Sequence, residues 1–183
     1  MFKGFFIKMK GGGLSPSRKP FTKILWSWLG AFLGIYLISI LSELSQVGGL
    51  NSQFLVASFG ASAVLIYGAP EADFSQPRNL IGGHVISALI GVSTLKFLPF
   101  DVTLLGALAV ALSIVAMHFT RTLHPPGGAT ALIAVTGSSE VHNTGYMFVF
   151  TPIATGAIIL LIIALIINNL SNNPKRHYPK YWF

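Results

Sequence analysis

Three apolar runs are long enough for a helix of about 20 residues, rising 1.5 Å each, to cross a hydrocarbon core about 30 Å thick. They cover residues 24–42, 102–120 and 146–170. The first lies between Lys23 and Glu43, and Trp26 and Trp28 sit near its start, where indole rings favour the membrane interface. Its length and the lack of a small-x-small cleavage site mark a retained anchor rather than a signal peptide. The second is bounded by Asp101 and Arg121; the third contains the aliphatic stretch 158–167 and stops at Asn168 and Asn169. A weaker run, 79–95, lies between Arg78 and Lys96, with Gly82, Gly83, Ser87 and Gly91 at three-to-four-residue spacing. That spacing predicts a helix with a small-residue face that a neighbouring backbone approaches closely.

Two shorter apolar segments, 54–68 and 127–137, are broken by Gly or Pro and predict half-helices or re-entrant segments. A shift of 68 positions aligns Gly60-Ala61-Ser62-Ala63-Val64-Leu65 with Gly128-Ala129-Thr130-Ala131-Leu132-Ile133. The chain thus divides into two similar halves, 21–99 and 100–170. If the short segments cross fully, each half has three crossings and the halves are inverted; if they re-enter, each has two and the halves are parallel. The expected fold is an all-α integral membrane protein of two similar halves, each with full transmembrane helices and one short interrupted or re-entrant helix. A basic N-terminal segment (1–23), a transmembrane domain (24–170) and a basic tail (171–183) make up the chain.

Composition agrees with a bilayer protein, since 52% of residues are hydrophobic and only 9% charged. The net charge of +7 is a matter of placement: Lys3, Lys8, Lys10, Arg18, Lys19, Lys23, Lys175, Arg176 and Lys180 all flank the apolar domain. Such charges resist translocation, which predicts both termini in the cytoplasm, in a bacterial-type inner or plasma membrane. Nucleic acid is not an expected partner, because the basic residues are not interleaved with aromatics on a folded face. With no cysteine, disulfides and thiolate sites are excluded. His118 and His124 lie six apart with no nearby carboxylate pair, so no metal or other cofactor is expected.

A helix that begins inside the membrane presents unpaired N–H groups and partial positive charge to an anion. The stretch Leu123-His124-Pro125-Pro126-Gly127-Gly128-Ala129-Thr130 suits such a start: the prolines need no donor, the glycines allow close approach and Thr130 adds a hydroxyl. Ser58, Gly60, Ala61 and Ser62 form the matching, weaker opening. Pro-Pro-Gly-Gly reads equally as a turn between helices. Arg78, followed by Asn79, offers bidentate pairing to a small oxyanion, or else pairs with Glu71, Asp73 or lipid headgroups. Arg121 either attracts an anion or marks a helix boundary. His84 and His124 either donate to an anion, carry a proton or serve as buried hydrogen-bonding groups.

The stretch His124-Pro125-Pro126-Gly127-Gly128-Ala129-Thr130-Ala131 resembles the signature of the HPP family of integral membrane proteins. Ser58-Phe59-Gly60-Ala61-Ser62-Ala63-Val64-Leu65 and Gln76-Pro77-Arg78-Asn79-Leu80-Ile81-Gly82-Gly83-His84 resemble the family's earlier motifs, in the same order. The resemblance implies a small helical membrane protein, with nitrite transport associated with plant plastid and cyanobacterial members. Some relatives carry a cytosolic CBS-domain extension; this chain stops soon after its last span, so nucleotide regulation is not expected.

The leading expectation is a carrier of a small inorganic anion, nitrite by resemblance. An anion channel would use the same positive helix ends without gradient coupling. An intramembrane enzyme would need Ser58 or Ser62 with His84 or His124 as nucleophile and base, but no orienting carboxylate accompanies them, so enzymatic activity is not expected. So few helices hardly enclose a polar pathway, which predicts a homo-oligomer, a dimer or trimer, with Gly-rich faces at the interface.

Overall fold

A computed structural model of the chain describes residues 2–10, 12–44, 52–171 and 176–183. Among these, the regular elements are helices: α1 Phe2–Met9, α2 Phe21–Leu44, α3 Ser52–Ala63, α4 Pro77–Phe97, α5 Val102–Thr120, α6 Pro125–Thr136, α7 Ser139–Thr144 and α8 Thr155–Leu170. Two π-helical turns, Val64–Gly68 and Val149–Ala154, prolong α3 and lead into α8, and a 3-10 turn, Asp73–Ser75, precedes α4. Phe21–Leu41, Pro77–Phe97, Val102–Thr120 and Val149–Leu170 are long and apolar enough to cross a bilayer, and Ala57–Gly68 is a shorter apolar helix. The chain is an all-helical integral membrane protein.

Local chemistry explains most boundaries. The Asp101 carboxylate caps α5 by accepting from the Thr103 and Leu104 N–H groups at 3.0 and 3.2 Å. Arg121 ends that helix in the left-handed conformation, at φ 59°. Prolines occupy the first turn of both α4 and α6, where no intrahelical donor is required. The apolar run over 146–170, expected as one helix, is broken, because Pro152 supplies no N–H and Thr151 leaves helical geometry (φ −128°, ψ 116°).

Small residues set the helix packing. Tyr67 lies against Gly30 and Gly34 of α2, where an added Cβ would come within 2.5 and 2.4 Å of it. Its hydroxyl donates to the Leu160 carbonyl at 3.1 Å, so α2, the end of α3 and α8 meet on one side chain. On the other side, α4 and α6 run parallel: Gly83 abuts His124, Gly127 abuts Ser87, and Gly91 abuts Ala131 and Ala134. The small-residue face expected on residues 79–95 is this contact.

The start of α2 and the C-terminal tail meet at one end of the bundle. Arg176 is buried there and donates to the Tyr67 carbonyl and Asn168 Oδ1, both at 3.0 Å, and to the Lys23 carbonyl at 3.3 Å. Tyr178 donates to the Ser75 carbonyl at 2.8 Å, and the Lys180 N–H to Gln76 Oε1 at 2.8 Å. The tail segment therefore straps the loop between α3 and α4. Arg176→Ala is expected to lower stability by about 2 kcal/mol, the scale of hydrogen bonds from a charged donor. Thermal unfolding in detergent checks this.

The same end carries an ion pair, Lys23 to Glu71 at 2.7 Å, with Lys19 at 3.9 Å. Burial opposes ionisation of Glu71, but the Lys23 hydrogen bond, its own backbone and the two lysine charges outweigh it and hold the carboxyl below its ordinary range. Its contribution is therefore present above the ordinary glutamate range and is lost as pH falls through the lowered pKa. Exposure limits that contribution to less than about 1 kcal/mol.

Candidate functional site

Five polar side chains, Ser58, Ser62, His84, His124 and Thr130, are fully buried where α3, α4 and α6 converge. Residues four apart share a helix face, so Ser58 and Ser62 point together into the bundle while Ala61 between them is exposed. His84 comes from the middle of α4, His124 precedes α6 and Thr130 lies one turn into it. The imidazoles pack edge to face with centroids 5.0 Å apart, and Phe59 closes on His84 at 5.2 Å.

The proton positions follow from one carbonyl. His124 Nδ1 lies 2.7 Å from the Phe74 main-chain oxygen, which only accepts, so Nδ1 carries a proton and donates. In the neutral ring Nε2 then accepts, and Ser62 Oγ, 2.9 Å away, donates its single proton to it. His84 Nε2 lies 2.7 Å from that same oxygen and must donate to it. His84 Nδ1 is left to accept from Thr130 Oγ1 at 2.7 Å. The result is one directed chain: Thr130 to His84, to Ser62, to His124, to the Phe74 carbonyl. The two positions matched by the 68-residue shift, Ser62 and Thr130, thus hold the two nitrogens of one imidazole.

The helix-end rationale for anion binding needs correction. α3 begins at Ser52, so Ser58, Gly60, Ala61 and Ser62 are mid-helix residues rather than an opening. α6 does begin within the Pro-Pro-Gly-Gly stretch, but Pro125 and Pro126 have no N–H and the Gly127 N–H already donates to the His124 carbonyl at 2.8 Å. Few free donors remain at that helix end, and the side-chain cluster is the stronger polar feature. Gly127 serves packing, with an added Cβ 2.7 Å from Ser87 Oγ and 2.9 Å from the Gly83 carbonyl. Gly128 and Ala129 are half-buried, and a Cβ at Gly128 would meet only Val110, at 3.7 Å.

Arg78 pairs with neither Glu71 nor Asp73 among the described contacts; it donates to the Thr120 carbonyl at 2.7 Å, at the C-terminal end of α5. Arg121 is exposed and closes that helix. Asn79 donates to the Leu123 carbonyl at 2.8 Å and so braces the segment leading to His124, while its Oδ1 is buried without a partner among the described residues. Ser58 Oγ is likewise buried and unpartnered. Sequence reading missed Phe74, whose part is played by its main-chain oxygen, and Gln76, which holds the same loop by donating to the Pro70 and Ala72 carbonyls at 2.9 Å. One chain encloses the whole cluster, so enclosure by itself does not call for a second copy.

All three motif stretches, 58–65, 76–84 and 124–131, therefore converge on one cluster. The family model for the HPP transmembrane region matches residues 16–179. The chain belongs to the HPP transmembrane family. Two transmembrane proteins of Dictyostelium discoideum are similar to this HPP chain. One is 45% identical over 185 residues, covering 100% of the chain and 58% of the relative. The other is 42% identical over 184 residues, covering 98% and 63%. The chain thus spans about three fifths of the length of these relatives. No solved structure matches.

Proposed function

We propose that this HPP protein carries a small inorganic anion across the bilayer, nitrite being the first candidate, through a site centred on Ser62, His84, His124 and Thr130. The observation that carries the reading is the cluster itself: buried polar and ionisable groups inside an apolar bundle are expensive and mark ligand or proton pathways. The groups present favour an anion. His84, His124, Ser62 and Thr130 each supply an N–H or O–H, the Ser58 hydroxyl has no partner among the described residues, and Glu43, Glu71, Asp73, Asp101 and Glu140 all lie at element ends or in loops. Nitrite itself rests on the family resemblance. The cluster is closed to both faces, so transport requires opening, and the strapped 69–76 loop is the natural cover on its side. Lys19, Lys23, Arg176 and Lys180 meet at one end of the bundle, which supports a cytoplasmic position for that end.

Ser62 against His124 also resembles a nucleophile and base. Among the described residues, however, neither imidazole is held by a carboxylate that would orient it as a base, His124 Nδ1 meeting a main-chain carbonyl and His84 Nδ1 a hydroxyl, which favours transport over catalysis. Nitrite influx into proteoliposomes tests the reading. Saturable flux above empty vesicles supports it; absence of such flux for nitrite and for other small anions overturns it. Labelling of Ser62 by a fluorophosphonate would instead favour the enzyme reading.

A further inference from the structure

His84 and His124 are the two groups in this cluster that can gain a proton. The groups against them are neutral: Phe59 and Ser62 from α3, with Ser58 behind Ser62, Thr130 from α6 and the Phe74 carbonyl from the loop. Asp73, next to Phe74, is the nearest carboxylate in sequence, and it is exposed. An anion entering this cluster alone, or a proton alone, would be an unpaired charge in an apolar core, which is costly.

The network is also built to accept a proton without stranding a donor. Ser62 Oγ has a second acceptor, the Ser58 carbonyl at 3.2 Å, and Thr130 Oγ1 has one in the Pro126 carbonyl at 3.4 Å. If His124 Nε2 is protonated, Ser62 turns its hydrogen to Ser58 and accepts from both rings. If His84 Nδ1 is protonated, Thr130 turns its hydrogen to Pro126 and accepts. A second proton would place like charges on rings 5.0 Å apart.

We propose that the Ser62-linked histidine pair takes up one proton with each monovalent anion, so that the two cross together and no net charge moves. This rests on the transport reading above. The proton binds a ring nitrogen from one face and leaves to water at the other with the anion; no bond within the anion changes. The cargo class is accordingly a small, singly charged anion, driven by a proton gradient.

The test uses the full chain in proteoliposomes with nitrite as probe, an internal pH dye, and membrane potential set by potassium and valinomycin, with leak through empty vesicles subtracted. One proton per nitrite is expected, at a rate indifferent to potential, and replacing both histidines, His84→Gln with His124→Gln, should abolish the coupled proton movement. Nitrite flux that follows potential and moves no proton overturns the coupling while leaving transport standing. Absence of flux for any small anion overturns both. Ring ¹⁵N spectra keep the proposal falsifiable if the double variant fails to fold. Neutral His84 should carry its proton on Nε2 and neutral His124 on Nδ1, and acidification should add one proton to the pair. Identical tautomers, or two independent protonations, overturn it.

Discussion

Ser62→Ala is expected to lower stability by about 2–6 kcal/mol and to reduce nitrite flux roughly tenfold or more, because two buried imidazole nitrogens lose a partner together. His84 Nε2–H, now 2.7 Å from the hydroxyl, would have no acceptor, and His124 Nε2, at 2.9 Å, no donor. Each orphaned buried group costs on the order of 1–3 kcal/mol, and among the described residues no other side chain bonds either atom. Thermal unfolding and flux measured on the same preparation separate the two effects. Stability and flux like those of the natural protein would mean that the hydroxyl is not the hub of the cluster.

Gly83→Ala is expected to be strongly damaging at the α4–α6 contact, with Gly128→Ala as its tolerated counterpart. A Cβ on Gly83 would lie 2.4 Å from His124 Cβ and 2.9 Å from the Thr122 carbonyl, neither of which is the free end of a flexible side chain. Overpacking of this kind costs about 1–3 kcal/mol, and the backbone contact puts this site near the upper end. The clash also displaces His124 itself, so flux should fall with stability. At Gly128 the nearest atom is Val110 Cγ1 at 3.7 Å, an ordinary contact, and the same methyl should change neither property appreciably. Equal effects at the two positions would contradict the packing described here.

What could be read in advance depended on where each residue's signal lies. The α5 helix was legible to the residue, because Asp101 and Arg121 bracket a run with no internal break. His84 and His124 stood out as ionisable groups at membrane depth, Ser62 and Thr130 as hydroxyls at expected helix openings, and the four converge here. The position of Ser58 to Ser62 within α3 was not legible: an apolar run reports what lies in lipid, not where the hydrogen-bonded helix starts. Arg78 was assigned possible carboxylate or anion partners, but its donor goes to a main-chain oxygen of Thr120, a choice set by tertiary packing. Phe74 gave no signal because any residue supplies a carbonyl. Arg176 read as tail charge, and only the assembled bundle shows the carbonyls that draw it inward.

The central claim is that the anion passes through the imidazole–hydroxyl cluster. It is tested most directly by comparing saturable nitrite flux through the natural protein, His84→Gln and Arg78→Ala in matched vesicles, with folding verified for each. Glutamine at 84 keeps a polar side chain but cannot take up a proton, whereas Arg78 is engaged with the end of α5. The expected result is a loss of roughly tenfold or more in maximal flux for His84→Gln, with maximal flux retained in Arg78→Ala. Natural maximal flux in folded His84→Gln, with loss in Arg78→Ala, would contradict the claim and place the pathway at the helix ends instead.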